Sequence, residues 1–307
     1  MIRHMVQRVL WMIIALVGVS IITFVISYLL PGDPARVIAG PQAPESVVRS
    51  IHHQLGLDQP VYVQYGKFAW NAIRGDFGLS YRTEQEVLPA IWTHFPYTAA
   101  VAIGGLVVEL LFGVALGIVA AVRRGKPTDG IAMTIALIGL AVPSFWLGLI
   151  LLYVFGFMWP IVPLGGTEHW TWIILPSITL GFSGAAYYTR MTRTAMLETL
   201  GEDYVRTARA KGLSGRQVVL KHAFRNAIRT VVTMAGMDLG AFLGGVLVIE
   251  QVFGVPGIGS LAWQAILNED LPMIQGTVLF AACLILVANL GVDVIYGWID
   301  PRVRTAD

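Results

Sequence analysis

The sequence predicts an all-α membrane protein with about six spanning helices, and three observations carry that expectation. The 307 residues are 56% hydrophobic and only 13% charged, about half the ~25% charge of an ordinary soluble domain. Mean hydropathy is positive, so water is not the main solvent. Six stretches are long and apolar enough to cross a hydrocarbon core about 30 Å thick, which takes roughly 20 residues rising about 1.5 Å each. They are Val9–Leu30, Thr98–Val122, Ile131–Trp159, Thr171–Thr189, Thr230–Ile249 and Gly276–Trp298.

The first apolar run is longer than a signal-peptide core of about 7 to 15 residues and ends in Pro31-Gly32-Asp33-Pro34 rather than a small-residue cleavage site. It reads as a retained first helix, residues 1–30. Residues 31–97 form an extracytoplasmic segment with its own amphipathic runs. Pro44 opens a helical pattern with Val47, Val48, Ile51 and Leu55 on one face and Gly56 at its end; a second runs from Pro60 through Tyr65 and Ile73 to Gly75. A five-helix core, 98–298, follows. It holds an inner loop at 190–229 and a turn-rich outer loop at 250–275, where a short helical run from Ser260 to Asn268 is expected. Pro143 should break or tilt the third span. Residues 299–307 make a cytoplasmic tail.

Orientation follows from Lys and Arg, which accumulate on the cytoplasmic side. With the N-terminus inside, Arg36, Arg49, Lys67, Arg74 and Arg82 lie outside and the remaining sixteen of the 21 basic residues lie inside. Both termini are then cytoplasmic, and the net charge of +2 reflects topology rather than nucleic-acid binding. The lone Cys283 excludes an internal disulfide and any CxxC pair.

The inner loop reads as helix, break, helix. Glu202 and Asp203 suit the positive end of a first helix, and Arg209 and Lys211 its negative end. Gly212 is the natural residue for a left-handed stop. Ser214 with Gln217 makes a capping-box pattern that starts the second helix. Taken alone, such a segment reads better as a basic amphipathic stretch lying on anionic lipid.

Ala208-Arg209-Ala210-Lys211-Gly212 and the following helix resemble the cytoplasmic loop of ABC import permeases. The branch is set by Leu30-Pro31-Gly32-Asp33-Pro34-Ala35, Leu55-Gly56-Leu57-Asp58-Gln59-Pro60, Gly75-Asp76-Phe77-Gly78-Leu79-Ser80, Phe253-Gly254-Val255-Pro256-Gly257-Ile258-Gly259 and Asp300-Pro301-Arg302-Val303-Arg304. These runs, in order along nearly the whole chain, resemble the dipeptide, oligopeptide, glutathione and nickel importers. The resemblance implies the type I ABC importer permease fold in a bacterial inner membrane. It also implies a second homologous permease, two ATPase subunits that hold ATP and Mg, and an extracytoplasmic peptide-binding protein. It further implies that Glu202, Asp203, Tyr204, Arg206, Thr207, Ala208, Arg209, Ala210, Lys211, Gly212 and Leu213 couple the chain to an ATPase groove.

No phosphate-binding loop is encoded, since Gly66-Lys67 and Gly125-Lys126 are followed by Phe68 and Pro127 rather than Ser or Thr. The chain alone should therefore not hydrolyse ATP, and no cofactor is expected on it. Glu109 and Asp238 fall within spans, where carboxylates usually face a protein interior or a watery path. The resemblance makes the fifth span a channel wall and Asp238, with Met234 and Phe242 a turn to either side, the candidate translocation pathway; that family more often carries glutamine near this position. A carboxylate bonded to a partner subunit is the competing reading of Asp238, and Asp293 reads as structural. Phe253, Pro256, Gly257 and Gly259 form a candidate outer gate, because irregular backbone at membrane depth is tolerated only where protein covers it. His52, His53, His94 and His169 suggest metal, but adjacent His52 and His53 lack the i, i+4 spacing of two ligands on one helix face; they read as solvated. A nickel-chelate importer is the main rival function. An intramembrane enzyme is disfavoured because no nucleophile and base are paired.

Overall fold

A computed structural model describes the backbone of residues 2–29 and 33–299. The Asp300 to Arg304 run and the side chain of Asp293 lie outside the described residues. Among those described, the chain is helical, with a single isolated bridge between Leu79 and Glu86. In chain order the helices are α1 (Ile2–Leu29), α2 (Pro34–Ala39), α3 (Glu45–Leu55), α4 (Val61–Ile73), α5 (Val87–Val122), α6 (Pro127–Ala141) and α7 (Ser144–Met158). After these come α8 (Ile174–Leu200), α9 (Asp203–Ala210), α10 (Gly215–Leu243), α11 (Leu247–Phe253), α12 (Ile258–Leu267) and α13 (Leu271–Ile299).

Helices α1, α5 and α13 are each long and apolar enough to cross a membrane, and the bent pairs α6–α7 and α10–α11 meet the same measure together. The expected span Thr171–Thr189 falls on α8, which has the length but a less apolar composition. Its surroundings give the reason: Ser177, Thr179, Thr189 and Thr192 on α8 are buried by protein, so this helix has less need of a lipid-facing coat.

Contacts group the chain into two units. In the first, residues 1–98 and 256–287, α1 buries one narrow face of Thr23, Phe24 and Ser27 and leaves Trp11, Ile14 and Ile22 exposed, the pattern of a lipid-facing helix. Phe24 meets Tyr65 edge-on at 5.5 Å and stacks on Phe68 at 5.8 Å. Helices α3 and α4 lie where Pro44, Gly56 and Pro60 predict, with Gly56 left-handed at φ +68°. A core of Val87, Ile91, Ile258, Met273 and Ile274 joins the start of α5 to α12 and α13. The Asp270 carboxylate accepts the Ser80 hydroxyl and, at 3.1 Å, the Tyr81 N–H. Burial, with the Asp270 charge beside it, raises the Tyr81 phenol above its ordinary range.

The second unit spans 99–255 and 288 onward. Here α5 carries a π-helical stretch at Glu109–Val114 and packs tightly on α8: a Cβ on Gly117 would lie 2.6 Å from Thr192 Cβ and 2.7 Å from the Thr189 carbonyl. Backbone contact this close needs glycine. Helices α6 and α7 meet at 96° across Val142-Pro143, the break Pro143 predicts. A second bend, 59° between α10 and α11, interrupts the expected fifth span at Gly244 to Val246, where Gly245 adopts φ +116°.

The charged segment 190–229 holds little irregular chain. Helix α8 runs on to Leu200 and α10 begins at Gly215, so most of 190–229 is helix.

Candidate functional site

Between α8 and α10 the chain leaves the bundle as one short helix. Helix α9 is amphipathic. Val205 and Ala208 are buried against Val218 with Leu200 beside them, and Glu202, Asp203, Tyr204, Arg206, Thr207, Arg209, Ala210, Lys211, Gly212 and Leu213 are exposed. Ala208 therefore anchors α9 to its own chain, and the other predicted coupling residues form its outward surface.

The ends of α9 explain why it is short. Glu202 precedes it without a side-chain cap, and Asp203 provides the acidic residue in its first turn. Arg206 Nη1 donates to Asp203 Oδ1 at 3.3 Å and Thr207 Oγ1 to the Asp203 carbonyl at 3.0 Å. At the other end Gly212, φ +76°, donates its N–H to the Arg209 carbonyl at 3.0 Å, and Leu213 donates to Ala208 at 3.4 Å. These two bonds make a Schellman stop. Ser214 and Gln217 then close the capping box that the sequence predicts, starting α10. Asn226 on α10 donates to the Tyr204 hydroxyl, and Met196, Ala223 and Ala227 with Ala121 pack the base of the hairpin.

One supporting element was not legible in the sequence. Arg193 on α8 forks onto Asp129 at the start of α6, and Asp129 also accepts the Gly125 N–H at 3.0 Å. Its only sequence signal was an acidic residue two places after Pro127, in front of an apolar run.

The pathway candidates lie on one face of α10: Met234, Asp238 and Phe242 follow one another at i, i+4 and i+8 and are half-buried. Asp238 Oδ2 accepts the Tyr188 hydroxyl at 2.6 Å, so this carboxylate has a partner within its own chain. Glu109 is buried, and its carboxylate occupies the space a side chain on Gly184 would need. Of the gate candidates, Phe253 is buried at the end of α11, beside the bare Cα of Gly148. Gly257 and Gly259 are buried and Pro256 half-buried at the start of α12, with Gly259 inside that helix. The Ile258 N–H donates to Thr98 Oγ1 at 2.8 Å. The histidines have local partners: His52 with Asp33 at 2.8 Å, His53 with Asp58 at 2.9 Å, His94 with the Ala90 carbonyl and His169 with Thr171. The hydrogen bond from His53 holds Asp58 below its ordinary range.

The fold is a bundle of long apolar helices with one short capped helix, α9, between two of them, and the comparisons give its class as a transport component. Residues 113–305 match the family described as binding-protein-dependent transport system inner membrane component, and residues 1–102 match its N-terminal companion. The chain is 43% identical over 304 residues to the glutathione transport system permease protein GsiC of Escherichia coli (strain K12), covering 99% of both chains. The same figures hold for GsiC of Shigella dysenteriae serotype 1 (strain Sd197). In fold it is similar to the inward-facing MetNI methionine ABC transporter, with a TM-score of 0.57, 18% identity and coverage of 68% of this chain and 96% of that one. It is also similar to an amino acid ABC transporter crystallised with histidines, with a TM-score of 0.51, 15% identity and coverage of 70% and 94%.

The chain thus belongs to the binding-protein-dependent inner membrane component family, the permease subunits of ABC importers. Membership entails work with an ATPase and a substrate-binding protein.

Proposed function

We propose that this chain forms one half of the membrane pathway of an ATP-driven importer of dipeptides or other small peptides, glutathione among them. The observation that carries this reading is the 43% identity to the glutathione permeases across 99% of both chains. The other half is a second, homologous permease. Two ATPase subunits hold ATP and Mg, and an extracytoplasmic binding protein delivers the peptide.

In this reading the chain crosses the membrane six times, α8 included, with both termini cytoplasmic and α3 and α4 outside. The exposed face of α9 seats in an ATPase groove. Met234, Asp238 and Phe242 face the pathway, and the Phe253 to Gly259 turn closes it from outside. ATP and the loaded binding protein must each prefer one arrangement of the bundle, since a ligand indifferent between two states shifts neither.

Uptake in cells that hold the whole transporter tests the substrate. Labelled glutathione and a labelled dipeptide should accumulate, and accumulation should stop when this chain is deleted. Uptake of a nickel complex alone would replace the peptide reading with the metal one.

A further inference from the structure

At the end of α5 from which the chain turns into α6, a cavity of about 500 Å³ opens beside α9 and the start of α10. Three arginines from three elements line it: Arg123 just after α5, Arg209 on α9 and Arg216 on α10. Among the described residues none of the three makes an ion pair, in contrast to Arg193 and Arg206 nearby. The rest of the lining is mostly aliphatic, including Val119 and Leu220, which are 44% and 46% exposed. Gly215 in the same wall is the first residue of a long helix, whose N-terminal end favours an anion.

The position decides what fits. Val122 is the last residue of a helix apolar enough to cross a membrane, and Arg123 and Arg124 follow it directly; with α5 read as a span that ends there, the cavity lies where acyl chains give way to headgroups. A soluble anion would satisfy the arginines and leave the aliphatic wall in water. An acidic protein segment would meet that wall with polar backbone. A molecule with one anionic phosphate and an attached hydrocarbon tail matches both halves of the lining. Basic pockets between spanning helices hold lipid headgroups by this chemistry.

We propose that the Arg123–Arg209–Arg216 cavity binds the headgroup of an anionic phospholipid, with its acyl chain along Val119 and Leu220. Lipid held there touches α5, α9 and α10 at once and braces the base of α9.

The test is native mass spectrometry of the full-length protein released from nanodiscs with equal amounts of phosphatidylglycerol and phosphatidylethanolamine of identical chains. Both leaflets are alike, so the result does not depend on orientation or on the transported substrate. The wild type should retain phosphatidylglycerol several-fold over phosphatidylethanolamine. Arg123→Gln with Arg216→Gln should bring the ratio to that of the bulk bilayer, and Arg123→Lys with Arg216→Lys should keep most of the preference. Equal retention by the wild type, or an unchanged preference in the glutamine variant, overturns the proposal. So does loss of the preference on adding millimolar inorganic phosphate, which would make the site one for a free anion. An unchanged lipid ratio with lost co-purification of the ATPase would assign the arginines to a protein contact instead.

Discussion

Arg193 sets its guanidinium on Asp129 as a two-pronged fork, Nε to Oδ1 at 2.7 Å and Nη2 to Oδ2 at 2.9 Å. The pair ties the start of α6 to α8 seven residues before α8 ends. Side-chain exposure is 24% for Arg193 and 8% for Asp129, so removing one partner strands a poorly hydrated charge. Breaking a fully buried pair costs about 3–5 kcal/mol; with a quarter of the arginine in solvent, about 1–3 kcal/mol is expected. Asp129→Ala should lower the thermal midpoint of the purified protein. Asp129→Ala with Arg193→Ala should cost less than the two single changes added together. Strict additivity would show that the fork contributes nothing.

The close approach of α5 and α8 makes a sharper claim. At Gly117 an added methyl would lie inside the contact distance of the Thr189 carbonyl and Thr192, so Gly117→Ala should push the helices apart at about 1–3 kcal/mol, the usual cost of overpacking. Gly18 on α1 has nothing within 4 Å of such a methyl, and Gly18→Ala should be neutral or slightly stabilising. Equal effects of the two changes on folded yield would refute this account of the packing.

Asp238 is tied to Tyr188 by a hydrogen bond that an amide oxygen can also accept. Asp238→Asn should therefore keep the protein folded at wild-type yield while changing peptide uptake, if the carboxylate faces the path. Tyr188→Phe leaves a carboxylate without its donor and should lower the yield. Asp238→Asn with normal uptake kinetics for every peptide tried would return Asp238 to a purely structural role.

Some of this structure was legible in advance because local chemistry fixes it. Gly212 had to be left-handed for an amphipathic helix to end there, Ser214 and Gln217 had the spacing of a capping box, and Pro44 and Gly56 bracket α3. Other features depend on residues far apart in the chain. The contact between Ser80 and Asp270 joins positions 190 residues apart, and the fork of Asp129 with Arg193 joins positions 64 apart. The break between α10 and α11 was hidden for another reason: Gly244 and Gly245 sit in an uninterrupted apolar run, where glycine serves close packing as readily as a turn.

The topology has its own test at α12. Gln264 is exposed, whereas Ser260 is buried and would report packing rather than sidedness. With Cys283 replaced, a cysteine at Gln264 should react with a membrane-impermeant thiol reagent added to the extracytoplasmic face, and not when only the cytoplasmic face is reached. The opposite pattern would invert the whole orientation, α9 included.

The coupling role proposed for α9 depends on Gly212. Around it there is open space, with nothing within 4 Å of an added Cβ, so a substitution there meets no clash and its cost comes from φ +76° alone. A β-branched residue is a genuine outlier in that region; strain of this kind costs about 1–3 kcal/mol. Gly212→Val should loosen the bonds from Gly212 to Arg209 and from Leu213 to Ala208, and with them the angle at which α9 presents Tyr204 and Arg206. Asparagine tolerates the left-handed region, so Gly212→Asn should keep most of the function. Glu202→Arg disturbs only the helix end, at about 0.3–1 kcal/mol, and should do less than Gly212→Val. The measurements are membrane insertion, co-purification of the ATPase subunits, and ATP hydrolysis stimulated by loaded binding protein. Gly212→Val should insert normally, hold the ATPases weakly and lose transport. If it assembles and transports like the wild type, α9 is not the element that couples ATP to the bundle.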